Sequence, residues 1–285
     1  MALTDRLPVM AQQQGVSLTR VRRELVFERF LARLVAVAPH RWVLKGGLAL
    51  DFRLGAAART TRDMDLGRTD DETGAMRDFL AAQRADANDH FEFEVERTER
   101  LDNLAEGQAT RFRVVASLAG RQFETVIIDV GFGDPVVPFD TVQTPGLLQF
   151  AGIEPVKVPT ISIAQHVAEK THAYTRAYVG GSSSRVKDLV DVVLFALHRR
   201  VDAAQLRQAL DATFTARDTH PLPAAIPAPP RGWDGPYRRL AEEVSITASL
   251  VDAHAIAAAL LDPILAGDVS EGSWEPAARR WAGAT

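Results

Sequence analysis

Two aspartates carry the clearest chemical signal in the chain. Asp63 and Asp65 lie in the string Arg-Thr-Thr-Arg-Asp-Met-Asp-Leu, and on a β-strand their side chains share one face. Upstream, Gly46 and Gly47 allow a sharp turn into a helix over residues 47–54, whose free N–H groups suit a phosphate. Two carboxylates close to such a turn can hold Mg²⁺ on a nucleotide. Each feature alone is typical of an ordinary turn or an exposed strand, but together they predict a nucleotide site.

Two further candidates lie downstream of the aspartates. Asp129 closes an apolar strand, and because an unpaired buried carboxylate is costly it must reach water, a cation or a partner. Lys170 lies on a predicted helix and is either a solvated surface lysine or a point charge for a phosphate. The helix that carries Lys170 therefore belongs to the candidate site only if this lysine binds a phosphate.

A charged string follows residues 180–184, which form a flexible Gly/Ser linker by composition. The string reads Arg-Val-Lys-Asp-Leu-Val-Asp and opens a predicted helix. Arg185, Asp188 and Asp191 are three residues apart and fall on one side of that helix. Lys187 and Asp191 also have the spacing of a surface ion pair.

Periodicity and turn signals predict the elements that position these residues. A helix over residues 17–38 precedes the glycine turn, and a helix over residues 70–83 follows the aspartates. Strands are predicted at 91–97, 111–118 and 122–130, a connection at 135–160, and helices at 160–178, 185–198, 203–213, 237–250 and 252–261. We therefore expect a core domain over residues 1–155 and a helical domain over residues 156–285 that contributes Lys170 and Asp188.

The composition is that of a soluble globular protein. The 285 residues are 46% hydrophobic and 25% charged, and they include no cysteine, which excludes disulfides and thiolate chemistry. The net charge of −4 argues against nonspecific coating of nucleic acid. No apolar run reaches membrane-spanning length and no signal-peptide pattern is present, so we expect a cytoplasmic protein without membrane partners.

Two motifs resemble those of a known enzyme family. The Lys-Gly-Gly opening at Lys45 and the Arg-x-Thr-x-Asp-x-Asp ending resemble the first motif of the polymerase-β-like nucleotidyltransferases. They are most similar to the AbiEii/AbiGii-type toxins, a family that includes the MenT toxins of mycobacteria. The Arg-x-Lys-Asp-x-x-Asp string at Arg185 resembles a further motif of that family. The resemblance spans roughly half of the chain, from the helix before Lys45 to about His198.

This resemblance implies a fold and a set of site residues. The fold would be α/β (α+β), a polymerase-β-like core with a mixed sheet followed by a C-terminal helical bundle. Metal ligands would be Asp63, Asp65 and Asp129, and Lys170 and Asp188 would join them as catalytic residues. Nucleotide contacts would come from Lys45, Gly46, Gly47, Thr61, Lys170, Arg185 and Lys187. The usual Gly-Ser of the polymerase-β-like superfamily is Gly46-Gly47 here, so no serine hydroxyl would touch the triphosphate, a change that AbiEii-type toxins tolerate.

The same resemblance implies a toxin of a toxin–antitoxin system. Such an enzyme uses Mg²⁺ and adds nucleotides from an NTP to the 3′ end of tRNA, which blocks aminoacylation, and a cognate antitoxin restrains it. Two alternatives are a transferase acting on a small-molecule or protein hydroxyl, and a binding module that keeps the fold without catalysis. Basic residues near Arg176, with Tyr174 and Tyr178 available to stack bases, favour RNA.

Overall fold

The chain forms two compact units in the computed structural model, which describes residues 3–100, 108–132, 139–176 and 185–283. The first unit comprises Met1–Ala56 and Thr60–Ile161, and the second comprises Ala57–Arg59 and Ser162–Thr285. The first unit thus extends past residue 155, where the sequence analysis ends the core domain. The predicted linker at residues 180–184 lies outside the described residues.

A seven-stranded mixed sheet organises the first unit. Its strand order is β3-β4-β5-β2-β1-β7-β6, with β2 parallel to β5 and β1 parallel to β7. This sheet and the helices around it confirm the predicted mixed α/β fold. The helices are α1 (Leu3–Gln14), α2 (Leu18–Val37), α3 (Gly46–Leu54) and α4 (Glu72–Arg84), and the strands are β1 (Val43–Lys45), β2 (Asp63–Arg68), β3 (Phe91–Arg100), β4 (Gln108–Leu118), β5 (Arg121–Phe132), β6 (Phe139–Gln143) and β7 (Lys157–Ile161).

Helix α2 anchors the core of this unit. Ser17 caps it by accepting a hydrogen bond from the Arg20 N–H. Its apolar stripe is fully buried and packs against α4 and β5. On β2, Met64 and Leu66 are buried in the same core, so the aspartates that alternate with them must point to the opposite face.

The second unit is helical. Helix α6 packs against α5, α8 and α9, and the Trp274 indole N–H donates to the Ala196 carbonyl at 2.8 Å. Two acidic side chains of α6, Asp188 and Asp191, are buried with its apolar residues. The elements are α5 (Ile163–Thr175), α6 (Val186–His198), α7 (Ala203–Arg217), α8 (Asp234–Glu243), α9 (Leu250–Ala266), β8 (Ser273–Glu275) and β9 (Arg280–Ala282).

Two element predictions were wrong. The predicted connection at 135–160 contains β6 and part of β7, because the fixed φ of Pro159 is compatible with an extended strand. The predicted helix at 237–250 ends at Glu243, and α9 begins after a capping box formed by Ser249 and Asp252. The predicted strands at 91–97, 111–118 and 122–130 are confirmed within β3, β4 and β5. Among the described helices, none combines the length and apolarity that a membrane span requires.

Candidate active site

Three aspartates share one face of the sheet in the first unit. Asp63 and Asp65 alternate along β2 with buried residues, as the sequence pattern predicted. Strand β5 runs parallel to β2, and Asp129 is paired in register with Asp65. Paired residues on neighbouring strands point to the same side, and the strands are about 5 Å apart. The fold therefore brings the three predicted metal ligands onto one surface, which we call the carboxylate face.

Gly46 holds the predicted turn against this face. It begins α3 with a φ of 60°, in the left-handed region that favours glycine. A Cβ at this position would overlap the Asp65 carboxylate. Gly47 is buried in the first turn of α3. The missing side chain thus allows the N-terminus of α3 to start directly beside Asp65.

Lys45 precedes this turn on the carboxylate face. It is the register partner of Asp65 in the antiparallel pairing of β1 and β2. Its alkyl chain passes over Gly67, where an added Cβ would lie 3.1 Å from the Lys45 Cδ. The lysine predicted to contact the nucleotide therefore starts on the same surface as the aspartates.

Thr61 orients Asp63. Its hydroxyl lies 3.1 Å from the Asp63 Oδ1 and 3.2 Å from the Asp63 carbonyl oxygen, and it donates toward both. The side chain faces the Asp63 carboxylate, and it is buried. Its hydroxyl, which we predicted as a nucleotide contact, is directed at Asp63 in this structure.

Asp129 is engaged by a residue that the sequence analysis missed. The Arg111 guanidinium donates from Nε to Asp129 Oδ1 and from Nη2 to Oδ2, both at 2.8 Å. The two residues are register partners on β4 and β5. Because the pairing depends on the register of the β4–β5 hairpin, no sequence motif pointed to Arg111.

The donor set of the carboxylate face suits a hard cation. Its three aspartates offer only carboxylate oxygens, the ligands that Mg²⁺ prefers, and the Gly46 turn leaves the space that a Cβ would fill. Within the part of the chain that the structure describes, no three acidic or histidine side chains already converge on a common point as a cation site. The donor chemistry therefore fits Mg²⁺, and the third carboxylate is held by Arg111.

A second group of predicted residues forms an ion-pair cluster in the second unit. The Lys170 Nζ lies 2.8 Å from Asp191 Oδ2 and 3.2 Å from Asp188 Oδ1. The Arg59 guanidinium donates to both Asp191 oxygens, at 2.8 and 2.9 Å. The Arg185 Nη1 lies 3.6 Å from Asp188 Oδ2. We call these five residues the lysine cluster.

Lys170 and Asp191 are held in their charged forms within this cluster. Burial alone would lower the pKa of Lys170, but the carboxylates of Asp191 and Asp188 outweigh it and raise that pKa above its usual value. Burial would likewise raise the pKa of Asp191, but Lys170 and Arg59 hold it well below its ordinary range. Lys170 is therefore a permanent positive charge and does not exchange a proton near neutral pH.

Several predictions around this cluster need correction. Lys187 is exposed and Asp191 is fully buried among other partners, so these two do not form the surface pair that their spacing suggested. Tyr174 is buried, and its hydroxyl donates to the Pro227 carbonyl at 2.7 Å, so it is not available to stack a base. Tyr178 lies outside the described residues. Arg59 is a second residue that the analysis missed, although the motif it opens was recognised.

The carboxylate face and the lysine cluster both lie in the part of the sequence that a family model matches. The model of the nucleotidyl transferase AbiEii toxin, type IV toxin–antitoxin system, matches residues 29–270. The chain belongs to the AbiEii family. The match includes every residue of the carboxylate face and of the lysine cluster. This AbiEii protein is therefore a nucleotidyltransferase, and family membership implies an NTP substrate and an antitoxin partner.

Solved structures resemble this AbiEii chain at low identity. JHP933 from Helicobacter pylori is 14% identical, with 86% of this chain and 93% of that chain covered and a TM-score of 0.46. An antigenic nucleotidyltransferase-like protein from Paracoccidioides brasiliensis is 17% identical, with 67% and 89% covered and a TM-score of 0.35. No match was found among curated proteins.

Proposed function

We propose that this AbiEii protein uses Mg²⁺ to transfer nucleotides from an NTP to the 3′ end of tRNA. Such a product cannot be aminoacylated, so translation stops until a cognate antitoxin restrains the enzyme. The observation that carries the proposal is the alignment of Asp63, Asp65 and Asp129 on one face, with the Gly46 turn against Asp65. The tRNA acceptor is inferred from the resemblance of both motifs to the mycobacterial toxins.

The carboxylate face supplies the groups that phosphoryl transfer requires. Asp63, Asp65 and Asp129 would hold Mg²⁺, which when bound neutralises phosphate charge and lowers the pKa of the attacking hydroxyl. Thr61 keeps the Asp63 carboxylate in one orientation, which reduces the reorganisation needed during the reaction. The N–H groups at the start of α3 would bind phosphate oxygens.

The lysine cluster supplies a fixed cation for phosphate groups. Two of the three Lys170 ammonium hydrogens are directed at Asp188 and Asp191, so the ammonium is held in place by its partners. Three cationic side chains and two carboxylates leave one net positive charge in the cluster. That charge would attract a phosphate of the nucleotide or of the acceptor.

A labelling experiment tests the function. The protein is incubated with Mg²⁺, total RNA and each radiolabelled NTP in turn, and the products are separated on a denaturing gel. We expect label in the tRNA band with at least one NTP. Label in a protein or a small molecule would favour another acceptor, and the absence of label from every fraction would favour a binding module.

Aspartate variants test whether the labelling activity depends on the carboxylate face. Asp63→Asn and Asp65→Asn should each lower transfer by more than about 100-fold, because each removes a charge that positions the cation. Glu94→Gln is the matched control, since it neutralises an exposed carboxylate elsewhere in the same sheet. Near-normal transfer by either aspartate variant would contradict the assignment of the metal ligands.

A further inference from the structure

The Arg111–Asp129 pair occupies both oxygens of the third carboxylate. The guanidinium makes two parallel hydrogen bonds of 2.8 Å, the fork geometry in which arginine binds carboxylates most strongly. The Asp129 side chain is 16% exposed and that of Arg111 is 37% exposed. The pair therefore lies at the edge of the carboxylate face, where solvent and ligands can reach it.

A cation that uses Asp129 must compete with this fork. The fork uses one lone pair of each Asp129 oxygen, on the side from which a cation bound by both oxygens would approach, so such a cation has to displace the guanidinium. The positive charge of the Arg111 guanidinium also repels a divalent cation at the neighbouring carboxylates. Both effects act in the same direction, so the pair weakens cation binding at the carboxylate face.

We propose that Arg111 and a divalent cation exclude one another at Asp129, so that Arg111 sets the cation affinity of the site. The inference rests on the proposed function, because it takes Asp129 as a metal ligand. Arg111 is then a positioning residue that holds the third carboxylate in place until a cation replaces the guanidinium. Cation binding and release of Arg111 are one coupled step.

Cation affinity measured directly tests this inference. The probe is Mn²⁺, titrated into the full chain without nucleotide, with free Mn²⁺ followed by electron paramagnetic resonance. Arg111→Met removes the fork and the charge while keeping much of the side-chain volume. We expect it to bind Mn²⁺ about tenfold more tightly than the wild type, since a charged hydrogen bond that competes with the cation is lost.

Arg113 provides a matched control on the same strand. It lies two residues from Arg111 on the same side of β4, and it pairs with Glu96 at 3.4 Å instead of with Asp129. Arg113→Met loses the same charge but leaves Asp129 bound to Arg111. We expect its Mn²⁺ affinity to stay within about twofold of the wild type, because exposed charges are largely screened by solvent.

Two further variants separate the possible failures. Arg111→Lys keeps the charge without the fork and should give an intermediate affinity, and its folding is checked by thermal unfolding. Asp65→Asn should abolish the tight Mn²⁺ site. If Asp65→Asn weakens binding but Arg111→Met matches the wild type or Arg113→Met, the role of Arg111 is overturned while the metal site stands. If neither the wild type nor Arg111→Met binds Mn²⁺, both the metal site and this inference are overturned.

Discussion

At the scale of single residues, Gly46 shows how a missing side chain shapes the site. Two separate features require glycine at this position. The backbone has a positive φ, and a Cβ would collide with the Asp65 carboxylate. Gly120, in the turn between β4 and β5, has a φ of 73° but nothing within 4 Å of an added Cβ. The two glycines therefore separate the cost of the backbone conformation from the cost of the steric collision.

We predict that Gly46→Ala loses transfer activity whereas Gly120→Ala keeps it. Each alanine should destabilise the fold by about 1 kcal/mol through its positive φ, and only Gly46→Ala displaces the Asp65 carboxylate. Urea unfolding measures the first effect and labelled-nucleotide transfer measures the second. Equal activities in the two variants would show that the position of Asp65 does not depend on the space left by Gly46.

Sequence patterns predicted the aspartates of the site but not the arginines that pair with acidic residues there. Alternation along one strand placed Asp63 and Asp65 on one face, and the end of an apolar strand indicated Asp129, which the register with Asp65 supports. Arg59 was missed because its partner Asp191 lies 132 residues away in the sequence, and Arg111 was missed because its pairing with Asp129 depends on the register of the β4–β5 hairpin. Periodicity groups residues onto a helix face but does not say whether that face is buried.

At the scale of elements, ion pairs join α5 to α6. Asp191 on α6 accepts from Lys170 on α5 and from Arg59, and its side chain is fully buried. Removing one member of a buried ion pair leaves uncompensated charge and costs about 3 kcal/mol or more. The free energy of unfolding should therefore depend strongly on this carboxylate.

We predict that Asp191→Asn lowers the free energy of unfolding by about 3 kcal/mol, measured by urea denaturation. The matched control is Asp211→Asn, which breaks the exposed pair of Arg207 and Asp211 at 2.9 Å on α7. That change should cost less than about 0.5 kcal/mol. A similar small loss for Asp191→Asn would mean that Lys170 and Arg59 find water or other partners.

Elements with strong periodicity were predicted, and short or interrupted ones were not. Helices α2, α6 and α7 and strands β3 to β5 match their predicted positions because long patterns leave little ambiguity. Strands β6 and β7 were missed because their pairing is long-range and Pro159 suggested a break. Likewise, β8 and β9 have three residues each, too few to show alternation.

At the scale of the whole molecule, one buried acidic pair makes stability depend on pH. Burial, together with the nearby Glu24 carboxylate, raises the pKa of Asp51 to about 8, although Arg20 opposes the shift. The native state therefore holds a proton that the unfolded chain releases near its ordinary pKa of 3.8. Between these values the native state binds more protons, so this group makes stability fall as pH rises.

We predict that Asp51→Asn flattens this dependence. From about pH 5 to about pH 8, the free energy of unfolding of the wild type should fall more steeply than that of the variant, because asparagine does not titrate. Urea unfolding at several pH values measures the difference between the two proteins. Parallel curves would show that Asp51 does not hold the proton in the native state.

Periodate oxidation tests the proposal that this enzyme attaches nucleotides to the 3′-terminal hydroxyl of tRNA. Purified tRNA is oxidised with periodate, which destroys the terminal diol, and labelled NTP incorporation is compared with that of untreated tRNA. We expect incorporation into the untreated tRNA and none into the oxidised tRNA. Equal incorporation into both would contradict it, because the nucleotide would then be attached elsewhere.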